Sequence, residues 1–209
     1  MASVLLSSTY FGPIQWYQKL YRHECCYIEK YDHFIKQTYR NRCQIATTQG
    51  VQTLSIPVEK FGTPKCLMRD VRISDHANWR HVHWNALVSA YGESPFFEFY
   101  EDDIRPFFTK KWTFLYDFNL EITMKMCQLL DIEPNIQETT TYVNTDDLPL
   151  QMLQITDLRD VIRPKHPLPD GAFTPRPYYQ VYARKHGFIP NLSILDLLMN
   201  MGNEAVLYL

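Results

Sequence analysis

The run Val4-Leu5-Leu6-Ser7, followed by a polar and aromatic turn and then by Gly12-Pro13, constrains the fold more than any other stretch. A short apolar run without polar interruption reads as a strand buried on both faces. Pro13 suits the first helical position, where a missing N–H costs nothing. Beyond it Ile14, Tyr17 and Tyr21 fall on one helical face. Strand, turn and helix in this order open an α/β fold, whose ligands sit beyond the carboxyl ends of the strands. The expectation is a single α/β domain over residues 1–209, with a central mixed sheet, flanking helices and an antiparallel hairpin.

The rest of the chain fits that frame. Tyr27-Ile28 is the core of a second strand. Residues 38 to 58 read as a hairpin punctuated by Gly50, with Leu54, Ile56 and Val58 alternating on one face. In its first arm the same period puts Arg40 and Arg42 on one face. A short strand is expected around Met68 to Ile73. Trp79, Val82, His83, Ala86, Leu87 and Ala90 mark a helix begun by Ser74 or Asp75 and ended by Gly92. Helices are also expected over 96–107, 113–130 and 194–201. Residues 137–143 are strand-like, and 148–162 are mixed and partly helical. Five prolines between Pro164 and Pro177 preclude regular structure there. That loop is a lid carrying Arg163, Lys165, His166 and Arg176, or it is ordinary surface coil.

Composition excludes several classes. A net charge of -2 gives no basic footprint for sequence-independent nucleic-acid binding. No apolar run approaches the length of a membrane span, and no signal peptide is evident. Five cysteines without a C-x-x-C spacing point to reduced thiols in a cytoplasmic protein. There is no G-x-G-x-x-G, no G-x-x-x-x-G-K-[ST] and no G-x-S-x-G, so no cofactor is expected.

Chemistry-bearing residues concentrate in two places. Tyr10, Gln15 and Tyr17 surround the opening turn. Lys36, Arg40, Asn41 and Arg42 form the second concentration, whose guanidinium groups suit an anionic ligand; a solvated strand face would look the same. The two segments are expected to meet, with the aromatic wall on one side and the positive charge on the other. His83 is the one candidate acid or base. It also sits on an apolar stripe beside Trp79, where a hydrogen-bonded core histidine is expected ahead of a catalytic base. His81 and His83, two apart on a helix, point in different directions and do not share a metal. Ser193 and Asp196 have the spacing of a capping box.

Tyr10-Phe11-Gly12-Pro13-Ile14-Gln15-Trp16-Tyr17, Tyr39-Arg40-Asn41-Arg42-Cys43, Trp79-Arg80-His81-Val82-His83-Trp84, Asp117-Phe118-Asn119-Leu120 and the stretch His186 to Leu198 together resemble the WbqC-like family. The form of the last motif is similar to that of members from Bacteroidetes-type bacteria. Ser8-Thr9 stands where the family opening commonly reads Gln-Pro. The resemblance implies a transferase of acyl or aminoacyl type in surface-polysaccharide (O-antigen) or related biosynthesis, acting on a small-molecule substrate such as an amino sugar or nucleotide-linked sugar. The alternative is a non-catalytic binding or assembly protein of such a pathway. Convergence of Gln15, Arg40, Arg42 and His83 on one concave pocket would favour the enzyme; scatter would favour the binding protein.

Overall fold

The computed structural model describes residues 3–63, 65–144 and 155–209. Its centre is a four-stranded sheet in the order β5-β2-β1-β6, with β1 Ser3–Ser7, β2 Cys25–Glu29, β5 Ile136–Glu138 and β6 Ile155–Asp157. All three pairings are parallel. A separate hairpin of β3 Arg42–Thr47 and β4 Gly50–Ser55 is antiparallel. The expected mixture of pairings is thus distributed over two sheets. Val4, Leu5 and Leu6 are fully buried, as a central parallel strand covered on both faces requires.

The helix α1, Ile14–Arg22, starts after Pro13 and returns the chain from β1 to β2 as a βαβ crossover. The indole of Trp16 donates to the carbonyl of Ser7 (3.0 Å), which ties the helix to the strand end. The turn between them is tight. Phe11 adopts a left-handed φ of 41°, and a Cβ at position 12 would lie 2.3 Å from Thr9 Oγ1. Glycine is therefore required at position 12 by contact rather than by φ.

Helices α2 Trp79–Tyr91, α3 Phe97–Ile104, α4 Pro106–Thr109, α5 Leu115–Leu129, α6 Ala183–His186 and α7 Ile194–Met201 complete the fold. The helix expected over 96–107 is broken at Arg105–Pro106, because Pro106 starts a new turn and offers no N–H to the old one. Met68–Asp70 form a 3-10 turn rather than a strand, and Arg72 and Ile73 make isolated bridges to Phe114 and Val58. The partly helical reading of 148–162 is overturned where described: Ile155–Asp157 is the edge strand β6. Residues 145–154 lie outside the described residues. The strand expected over 137–143 is confined to its first residues.

Candidate functional site

The four parallel strands end on the same side, and each end contributes to a cleft of about 590 Å³ or to the small cavity behind it. Tyr31, Asp32 and His33 follow β2, Tyr142 follows β5, and Arg159 and Asp160 follow β6; Ile35, Arg40 and Leu67 complete the lining. Behind Arg40 and Arg159 lies a cavity of about 10 Å³ walled by Ser7, Ser8 and Thr9 at the end of β1 and by Leu158 and Ile162. β1 has its sequence neighbour β2 on one side and β6 on the other. The strand order reverses there, which is where open α/β sheets bind ligands.

Glu29 is wholly buried at the end of β2 and holds this edge together. Its carboxylate accepts from the amide of Tyr31 (2.8 Å), the hydroxyl of Thr139 (2.8 Å) and the amide of Val143 (2.9 Å). Arg159 approaches it at 3.4 Å and donates through Nη2 to Asp157 at 2.6 Å. The Arg159 guanidinium also lies 5.1 Å from the Tyr142 ring centre. Arg40 donates to Asp32 Oδ2, both side chains being nearly inaccessible. Burial pushes the Asp32 carboxyl above its usual range against the opposing pull of Arg40. Hydrogen-bonding capacity remains unspent here: Ser7 Oγ, Thr9 Oγ1, Asp32 Oδ1 and Arg40 Nε are buried and have no partner. Such atoms are costly unless something fills the site.

The opening turn and the Lys36 to Arg42 segment do meet. The Tyr10 amide donates to the carbonyl of Tyr39 (2.9 Å), and Asn119 Nδ2 donates to both Ser8 Oγ (3.3 Å) and the carbonyl of Arg40 (2.8 Å). The residues named from the sequence nevertheless spread apart. Arg40 alone of them lines the cleft. It sits in a turn before β3, so it does not share a strand face with Arg42, the first residue of that strand. Lys36 is exposed on an adjoining groove that shares Ile35 with the cleft. Asn41 Nδ2 donates to the carbonyl of Ile56 at the base of the hairpin (2.8 Å). Gln15 lies on the far side of α1, where Nε2 donates to Asp170 (2.9 Å) and Oε1 accepts from Asn191 (3.1 Å). Tyr10 and Tyr17 are fully buried core residues.

His83 is 4% exposed. Burial lowers its pKa to about 4, against a weaker raising effect of a hydrogen bond to the Ser55 backbone. A neutral imidazole has one N–H, and the Ser55 carbonyl can only accept it. The Tyr10 hydroxyl, 2.9 Å from Nδ1, therefore donates. Trp79 and Tyr10 pack against its ring. Among the described residues no group of three or more His, Cys, Asp or Glu could hold a metal ion.

The profile of the WbqC-like protein family matches residues 8–167. The chain belongs to that family. The match stops before the motif from His186 to Leu198, although Leu192 and Ser193 of that stretch clamp the opening turn through the Ile14 amide and the Phe11 carbonyl. This WbqC-like chain is also similar to an uncharacterized protein of Mycobacterium tuberculosis, Rv1507c, at 26% identity over 196 residues, covering 84% of this chain and 83% of the relative. No solved structure matches it. The family match includes every residue that lines the cleft and the cavity behind it except Ser7.

Sequence reasoning missed Glu29, Tyr31, Asp32, Tyr142 and Arg159. Tyr31 and Asp32 had a usable signal, since they directly follow the recognised strand Tyr27-Ile28 on the side where α/β ligands bind. Arg159 had none, because β6 shows no apolar run of its own.

Proposed function

We propose that this WbqC-like protein is a cytoplasmic transferase of surface-polysaccharide or related biosynthesis, moving an acyl or aminoacyl group to or from a sugar or nucleotide-linked sugar held in the strand-end cleft. One observation carries the reading: buried polar atoms without partners, Asp32 Oδ1, Arg40 Nε and Ser7 Oγ, belong to residues that wall the cleft flanked by Tyr31 and Tyr142 or, for Ser7, the small cavity behind it. A polyhydroxylated ligand offers donors and acceptors to such atoms, and tyrosine rings suit the apolar face of a sugar. Asp32, whose carboxyl is held above its usual range, is better placed than His83 to take a proton from an attacking group, because His83 is enclosed by Tyr10 and Ser55. Lys36 stands at the adjoining groove, where the anionic part of a donor would extend.

A second reading, a non-catalytic binding protein, is favoured by the scatter of Gln15, Arg42 and His83 away from the cleft. A thermal-shift panel of sugar nucleotides, free sugars and acyl donors separates the two. A ligand at about a hundred times its Kd adds about 2.7 kcal/mol, or roughly 5–10 °C in Tm for a chain of this size. Stabilisation by both a sugar and an acyl donor is the expected result, followed by product detected by mass spectrometry. No stabilisation across the panel would overturn the transferase and leave the binding protein standing.

A further inference from the structure

Three buried polar atoms at the carboxyl end of β1 have no partner among the described residues: Ser7 Oγ, Thr9 Oγ1 and Arg40 Nε. Their residues wall the same cavity of about 10 Å³. The other polar side chains of that wall are bonded elsewhere. Trp16 Nε1 donates to the Ser7 carbonyl (3.0 Å), and Ser8 Oγ accepts from Asn119 (3.3 Å). The Thr38 hydroxyl donates to the Ile35 carbonyl (2.8 Å) and the Tyr39 hydroxyl to Gln44 (3.1 Å). The two guanidinium groups in the wall are each matched, Arg40 by Asp32 and Arg159 by Asp157 and Glu29. No positive charge is therefore left over to offset a buried anion. Arg40 Nε can only donate, so an occupant must offer it an acceptor, which an ammonium or a metal ion lacks. The room is that of a single water, and three polar partners are the usual number for a buried one.

We propose that this cavity is a binding site for one internal water, which accepts from Arg40 Nε, bonds the Ser7 and Thr9 hydroxyls, and so positions the guanidinium that cavity and cleft share. Arg40 lines both spaces. On the cleft side its Nη2 holds Asp32. On the cavity side the water ties its Nε to the end of β1. A neutral molecule that both donates and accepts is what two hydroxyls and one N–H can satisfy together. The water makes the end of the central strand, and not the turn around Arg40 alone, the support of the cleft's Arg40–Asp32 pair. It does so whatever ligand the cleft takes, so the inference stands or falls apart from the transferase reading.

A high-resolution crystal structure of the full chain, with and without a bromide soak, tests it directly. The expected result is one density peak within hydrogen-bonding distance of Ser7 Oγ, Thr9 Oγ1 and Arg40 Nε, without anomalous signal after the soak. No peak, a peak that misses any of the three atoms, or an anomalous signal marking an anion would overturn the inference. Thr9→Val and Ser7→Ala each remove one hydroxyl at little change of shape. Each should lower the folding equilibrium constant in urea about fivefold, the net worth of one hydrogen bond. The double variant should lose less than the product of the two effects, because partners of one water are coupled. The Arg40 Nε–H signal in NMR spectra should exchange faster with solvent in Thr9→Val than in the parent. Multiplicative losses together with an unchanged Arg40 signal would overturn the shared water. Should a variant fail to fold, the density in the parent still decides.

Discussion

Two buried titratable residues carry opposite pH dependences in nearly the same window. His83 is lowered from 6.5 to about 4 by burial. Asp196 is raised from 3.8 to about 6, also by burial, with hydrogen bonds from Tyr178 (2.6 Å) and Gln180 (3.0 Å) opposing it only in part. Between pH 4 and 6.5 the folded chain binds fewer protons at His83 than the unfolded chain does, so this residue makes stability rise with pH. Between pH 3.8 and 6 the folded chain binds more protons at Asp196, so that residue makes stability fall as pH rises. Each effect amounts to about 3 kcal/mol, and in the native protein they nearly cancel. Asp196→Asn should unmask the His83 slope, its urea-derived stability rising by about 3 kcal/mol from pH 4 to 6.5 relative to the parent. His83→Gln should show the opposite slope. Parallel pH curves for parent and both variants would refute the burial origin of these shifts. His83 illustrates why sequence reads such residues poorly: a histidine on an apolar helical stripe looks the same whether it faces a pocket or, as here, Tyr10, Trp79 and Ser55 inside the core. Tyr10 and Tyr17 are ambiguous in the same way, since pocket walls and cores both need aromatic area.

At the scale of elements, α1 does two jobs. Its Ser7-facing side fixes the strand end through Trp16, and its other side anchors the proline-rich loop. Lys19 and Asp170 form an ion pair at 2.7 Å, with side chains only 2% and 9% exposed. Burial pushes the Asp170 carboxyl up, but hydrogen bonds from Lys19, Gln15 and the Ala172 amide outweigh it and hold the group below its usual range. Asp170→Ala would strand a buried ammonium and should cost about 3–5 kcal/mol in urea denaturation. Adding Lys19→Met should restore most of that loss, because the pair is replaced by apolar volume. If the double variant lost the sum of both single effects, the pair would be no such unit. The loop was legible as irregular from its prolines, but its anchoring was not: Asp170 looks like half of an Asp-Gly turn signal until the fold brings it to Lys19. Elements with strong internal periodicity were read well, as α5, α7 and the Gly50 hairpin show; α2 was read well except at its start, which lies at Trp79 after a left-handed Asn78 rather than at Ser74 or Asp75, because His76–Asn78 form a separate 3-10 turn. Elements that exist through partners were not. β6 is three residues long and is a strand because β1 offers it an edge. The expected capping box is half formed: Ser193 Oγ accepts from the Leu195 amide, while Asp196 turns to Tyr178 and Gln180.

At the scale of the molecule, the cleft is assembled from chain segments that sequence keeps far apart. Residues 31–40, 142 and 159–160 meet only because the ends of β2, β5 and β6 lie side by side, with Glu29 bonded to Tyr31, Thr139, Val143 and Arg159 across them. A ligand that engages this cleft must therefore order several distant loops at once. Hydrogen exchange measured with and without a ligand found by the thermal-shift panel should show added protection in residues 31–40 and in 158–162 together. The hairpin turn at Thr48–Gln49 should be unchanged, because it is held instead by α6 through Lys185 and His186. The amides of β1 should exchange slowest in both states, since that strand is paired on both sides and its apolar residues are fully buried. Protection confined to the adjoining groove around Lys36 would move the site to the neighbouring surface. Protection near Gln15 and Asp170 would instead make the proline-rich loop, and not the strand ends, the element that closes on the ligand.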